Sequence, residues 1–172
     1  MPKIVTAQHR AGEAERARLY VKSRLMMPTI PLGMVALLTG YGGVVVAWLQ
    51  EKLTPEVFFS SSILFVAGAA WGWVHAQYDR YLLNRYPEYL ARKQKVLDAV
   101  KGHKKRTREV SSSGLNHPGR KLVLVGYIVG LASQFGLTVY FIGEVGVYAA
   151  VFLPWAGYFN AKVIALRDLL VG

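Results

Sequence analysis

The chain has 172 residues, 53% of them hydrophobic, and carries 21 Lys and Arg against 10 Asp and Glu, a formal net charge of +11. It has no cysteine, which excludes disulfides, thiolate-held zinc, iron–sulfur clusters and a cysteine nucleophile. The apolar residues stand in blocks instead of alternating with charge at helical or strand period, which excludes an ordinary water-soluble core.

The first segment, residues 1–28, is basic. Ala14, Ala17, Val21 and Leu25 follow helical spacing opposite Arg16, Arg18 and Lys22, so a short amphipathic helix is expected on the membrane surface, ending where Pro28 turns the chain inward. Glu13 and Glu15 argue against a cleaved presequence, and the segment reads as retained.

Residues 29–78 hold two long apolar runs. A run of about 18 apolar residues spans a hydrocarbon core of roughly 30 Å, because a helix rises about 1.5 Å per residue and satisfies its own backbone. Ile30 to Leu49 is the first such run and Val57 to Val74 the second. The second is opened by Thr54 as N-cap, Pro55 at the first helical position and Glu56 at the positive end of the dipole.

The loop 79–120 carries twelve Lys and Arg from Arg80 to Lys121 when the latter is counted. Helix continues past Tyr78 and Tyr81 to Tyr86, and a second surface helix is expected from Pro87 to Val100, with Tyr89, Leu90, Val96, Leu97 and Val100 on one side. Lys104-Lys105-Arg106, Ser111-Ser112-Ser113-Gly114 and Asn116-His117-Pro118-Gly119 then read as an extended linker.

Residues 121–172 hold the third run, Leu122 to Ile142, and the fourth, Val145 to Leu166, which contains Pro154. Proline removes one backbone donor and kinks a helix. The expected fold is therefore an all-α integral membrane protein with four transmembrane helices arranged as two helical hairpins, plus short amphipathic surface helices. A faint likeness links the hairpins: Leu38-Thr39-Gly40-Tyr41 with Leu124-Val125-Gly126-Tyr127, and Ala70-Trp71-Gly72-Trp73 with Pro154-Trp155-Ala156-Gly157.

Basic residues set the orientation. The tail and the middle loop hold nearly all of them, whereas the opposite turns carry Lys52 with Glu51, Glu56 and Glu144. Both termini and the loop are thus expected on the cytoplasmic side of a bacterial plasma membrane or the matrix side of the mitochondrial inner membrane, the latter preferred. The charge is accounted for by topology, and no nucleic-acid partner is implied.

Small residues four apart open shallow grooves in which another backbone approaches closely. Gly68 and Gly72, Gly126 and Gly130, and Gly40, Gly43 and Gly136 with nearby alanines form such grooves, whereas Leu64 is read as lipid-facing. Lys22, Arg24, Arg80, Arg85, Arg120, Lys121 and Lys162 flank span ends and are expected to contact anionic phospholipid headgroups, Lys162 by snorkelling. Thr39, Gln134, Thr138 and Asn160 are expected to hydrogen-bond between helices.

Signals for chemistry are few. His75 precedes Asp79 by four residues, so the two share a helix face, but no nucleophile or third member completes a catalytic set. Haem ligation between helices usually needs two axial ligands, and His75 is the only histidine in or at the edge of a span; single-histidine pigment ligation stays open, since Gly68, Ala69 and Gly72 leave room for a macrocycle, although Trp71 stands one turn before His75. No catalytic residue, metal or cofactor is assigned. By elimination the sequence points to an accessory subunit of a larger membrane complex, respiratory or otherwise energy-converting, with other integral membrane subunits as partners. A small transporter or channel, and a membrane-embedded lipid-modifying enzyme using His75, Asp79 or His117, are the alternatives.

Because the chain lacks cysteine, topology is directly testable. Single cysteines placed at Ser112 and at Thr54 are expected to react with an impermeant maleimide from opposite sides of the membrane. Labelling of both from one side would overturn the four-span arrangement.

Overall fold

A computed structural model describes residues 12–102 and 120–168. They form five helices: α1 (Gly12–Leu49), α2 (Pro55–Arg85), α3 (Pro87–Gly102), α4 (Arg120–Val145) and α5 (Val147–Leu166). Helices α1, α2, α4 and α5 are each long and apolar enough to cross a membrane. Their outward faces carry large apolar side chains such as Leu38, Phe59, Leu122 and Phe135, a surface suited to lipid and not to water. The linker expected over 104–119 lies outside the described residues.

The N-terminal stripe continues into the first span without a break. Ala17, Val21, Met26, Thr29, Gly33, Ala36 and Gly40 are all buried, and every step between them is three or four residues except the five from Val21 to Met26. That step coincides with a π-helical stretch, Val21–Met26, in which the Met27 N–H bonds Lys22 O. One extra residue in the turn returns Met26 to the buried face. Pro28 follows directly, so its missing N–H falls at the change of register and the helix continues. The expected surface helix ended by Pro28 is instead the first third of one 38-residue helix. Its stripe packs on protein: Ala17, Val21 and Met26 join Ala76, Leu82, Leu83, Leu90, Ala165 and Leu166 in one buried cluster.

Local chemistry fixes the helix ends. Thr54 is extended and its hydroxyl accepts from Val57 N at 3.3 Å, with Pro55 and Glu56 following as expected. After α1, Lys52 N bonds Ala47 O at 2.9 Å and Glu51 N bonds Trp48 O at 3.0 Å, a Schellman closure with Glu51 at φ 58°. Gly146 alone separates α4 from α5, at φ 81°, a backbone conformation that side chains disfavour. Tyr86 interrupts the helix before Pro87 opens α3.

Helices that follow one another in sequence are not the main packing partners. α5 lies between α1 and α2 and packs extensively on both, while α1 and α2 barely touch. The expected pairing of first with second span therefore gives way to a three-helix core centred on α5, with α4 packed more lightly on α2 and α5. The two halves of the chain are used unequally despite their likeness.

Glycines explain the arrangement. A β-carbon at Gly68 would overlap the Pro154 carbonyl, one at Gly72 the Tyr158 carbonyl, and one at Gly157 the Phe65 carbonyl. On the other side of α5, a β-carbon at Gly40 would stand 2.9 Å from Leu153 Cδ2, at Gly43 3.1 Å from Ala149 N, and at Gly33 3.1 Å from Phe159 Cβ. Gly130 receives the Trp71 indole, whereas Gly126 and Gly136 have no such neighbour within 4 Å. Leu64, expected to face lipid, is fully buried with Val57, Val145, Ala149, Ala150 and Leu153. It sits one turn before Gly68 and so shares the face turned towards α5.

Leucine at Gly72 must separate two backbones, an overpacking that costs about 1–3 kcal/mol or more. Gly72→Leu is expected to lower the melting temperature in mild detergent markedly, Leu64→Ala substantially, and Val66→Ala, at an exposed position, hardly at all. Equal melting of Gly72→Leu and Val66→Ala would remove the backbone contact as the basis of the core.

Candidate functional site

One face of α2 carries Gly68, Gly72, His75 and Asp79, spaced four, three and four residues apart, and all four are buried. The facing residues of α5 are Pro154, Tyr158 and Lys162, spaced by four. The glycines bring the backbones together. One turn further towards the C-terminus of α2, the same face must hold polar groups at that close spacing.

Asp79 Oδ2 lies 2.8 Å from Lys162 Nζ, and the two side chains are 10% and 8% exposed. Neither charge is stable alone in such surroundings; each is tolerable because the other neutralises it. Lys162 therefore does not snorkel to headgroups, as its place near the end of α5 suggests. Its α-carbon is about 22 Å along α5 from Val147 and on the side facing α2, so its nearest counter-charge is the buried carboxylate. His75 does not pair with Asp79 either. Its Nδ1 is 2.7 Å from the Tyr158 hydroxyl.

Aromatic rings surround His75. Tyr127 of α4 lies 4.1 Å from it between ring centroids, Trp71 5.0 Å and Tyr158 5.3 Å. Beside this cluster is a cavity of about 210 Å³, lined by Trp71, His75, Tyr127, Gly130, Leu131, Gln134, Pro154, Trp155 and Tyr158. A second cavity, about 290 Å³, lies nearer the C-terminal end of α2 and shares Tyr127 with the first; Asp79, Lys162, Tyr20, Tyr89 and Lys93 are among its walls. The Lys93 ammonium stands 4.6 Å from the Tyr89 ring, a cation–π contact.

The other polar residues of the spans divide. Thr138 donates across to Ala150 O at 3.3 Å, and Asn160 reaches Gly33 O at 3.4 Å as well as Ala156 O on its own helix at 2.8 Å. Thr39 bonds Val35 O within α1 and not another helix. Gln134 Nε2 is buried without a hydrogen-bond partner among the described residues.

The basic residues expected at headgroups are spread about the end of the bundle where α2 finishes and α4 begins. Lys22, Arg24, Arg85 and Lys121 are exposed. Arg80 is held by Asp168, with Nη2 to Oδ2 at 2.9 Å, and only the backbone of Arg120 is described, as the first residue of α4. Among the described residues no group of three His, Asp or Glu side chains could hold a metal ion. The arrangement is thus suited to binding: an aromatic cavity with two polar groups at its wall, backed by a neutralised ion pair.

Sequence reading singled out His75 and Asp79 but missed their partners. Tyr158 and Lys162 lie 83 residues away from them in the chain, and no local pattern brings the two segments together. The signal available was the face Gly68, Gly72, His75, Asp79, on which a backbone groove runs directly into two polar groups.

The ion pair makes a clear prediction. Lys162→Met or Asp79→Leu alone strands a buried charge and is expected to destabilise the protein by about 3–5 kcal/mol, whereas the double variant recovers most of that loss. Thermal melts of the three variants in detergent measure this; additive losses would mean that the two groups do not interact. Compared with protein-family models, with curated proteins and with solved structures, the chain matches none.

Proposed function

We propose that this chain is a non-catalytic subunit of a larger integral membrane assembly, respiratory or otherwise energy-converting, contributing helix packing and lipid contacts. The observation that carries this reading is α4. Its glycines Gly126, Gly136 and Gly143 have no neighbour within 4 Å of a β-carbon position. Glycine in a helix interior costs roughly 1 kcal/mol relative to alanine, and no neighbour among the described residues offsets that cost at these positions. On α1 and α2, Gly40, Gly43, Gly68 and Gly72 admit the backbone of α5, whereas Gly42 has no such neighbour; on α4 the open glycines fit a helix of another subunit.

The charge distribution supports an orientation with both termini and the loop on the matrix or cytoplasmic side. Lys22, Arg24, Arg85 and Lys121 then lie near the inner headgroups, where anionic phospholipid is held at about 1 kcal/mol per basic residue. α3, joined to α2 at Tyr86 and Pro87, rests at the same level as a surface helix. The ion pair argues against ion translocation, because Asp79 and Lys162 neutralise each other and leave no single charge to attract an ion.

Extraction from the native membrane in mild detergent, followed by native mass measurement, tests the proposal. The chain is expected to co-migrate with a complex much larger than itself, and Gly136→Leu to release it without lowering the melting temperature of the isolated chain. A monodisperse monomer or homodimer from native membranes would sink the reading.

A further inference from the structure

We propose that the cavity between α2, α4 and α5 binds the head group of a membrane-soluble quinone: a single flat ring bearing carbonyl oxygens, carried on an apolar tail. This goes beyond a subunit role and holds whether or not partner subunits are present. Four features of the cavity carry it.

The first is its size. About 210 Å³ accommodates one substituted six-membered ring but not a macrocycle, and leaves a long tail outside. The second is its wall, where the rings of Trp71, Tyr127, Trp155 and Tyr158 offer flat faces to a flat ligand. The third is access: Leu131 and Trp155 line the cavity and are also 55% and 39% exposed on the lipid-facing surface. A ligand dissolved in the bilayer enters there with its tail still in lipid.

The fourth feature sets the chemistry. Gln134 Nε2 is a buried amide donor with no hydrogen-bond partner among the described residues, and a buried donor left unpaired is costly. His75 bonds Tyr158 through Nδ1, which leaves Nε2 for a ligand. A lipid acyl chain would fill the same volume but leave the amide unpaired. A ring with carbonyl oxygens offers that donor an acceptor and stacks on the surrounding rings.

The purified full chain in detergent micelles, titrated with a decyl-substituted benzoquinone, provides the test. With Trp48 and Trp73, which lie outside the cavity, replaced by Phe, Trp71 and Trp155 report occupancy through quenching of their fluorescence. Expected are saturable quenching at one quinone per chain, an affinity about tenfold weaker in Gln134→Leu, the effect of one lost hydrogen bond, and no competition by decanol. Leu131→Phe, at an exposed position on the mouth, is expected to weaken binding at least as much, and keeps the test standing if Gln134→Leu fails to fold. Quenching that rises linearly without saturation, saturable quenching insensitive to both variants, or equal competition by decanol would overturn the proposal.

Discussion

Backbone atoms of α5 occupy the positions where β-carbons on α2 would be, at Gly68 and Gly72, and α2 does the same to α5 at Gly157. In lipid, apolar side chains gain nothing by leaving one apolar surrounding for another, so helices are held by the closeness of their contact and by interhelical hydrogen bonds. Reciprocal interlocking of this kind leaves little freedom in register. Once Gly68 meets Pro154 and Gly72 meets Tyr158, His75 is set against Tyr158 and Asp79 against Lys162. The ion pair and the His–Tyr hydrogen bond are consequences of glycine placement one and two turns away.

The same constraint governs how proline is accommodated. Pro154 deprives the Ala150 carbonyl of its usual i+4 donor, and the bilayer core has no water to replace it. Thr138 of α4 donates to that carbonyl at 3.3 Å, so the defect in α5 becomes a tie to α4. Asn160 works similarly in the other direction, through Gly33 O of α1. Hydroxyls that face lipid have no such use and bond their own helices: Ser62 to Phe58 O and Ser133 to Val129 O, at 2.8 and 2.6 Å.

Features decided within one helix were legible in the sequence. Apolar length marked each span, and Thr54, Pro55 and Glu56 marked the start of α2, because capping and hydrophobic thickness act locally. Which helix fills which groove was not legible. A small residue shows that a neighbour can come close but carries no address, so Gly68, Gly72 and Gly126 read alike although only the first two meet α5. Leu64 and Lys162 were misplaced for the same reason: a leucine in a span suits lipid and a lysine near its end suits headgroups unless α5 and α2 happen to face them. The π turn at Val21–Met26 is a different case: the expected stripe steps regularly from Val21 to Leu25, whereas the structure buries Met26 instead, and a regular step gave no sign that one helix runs on through Pro28.

The bundle therefore has two kinds of interface. Between α1, α5 and α2 the contacts are backbone on backbone, and moving one helix would break several glycine contacts at once. Between α4 and the rest, the contacts are side chains: Trp71 against Gly130, Tyr127 against His75, Thr138 against Ala150. Side chains repack more readily than interlocked backbones, and the cavity lies on this softer side, with Tyr127, Gly130, Leu131 and Gln134 of α4 forming one wall and Trp71, Trp155 and Tyr158 the other. Anything that fills it joins α4 to the rigid core. An occupant would thereby hold the exposed face of α4, with Gly136 and Gly143, in one position relative to the core.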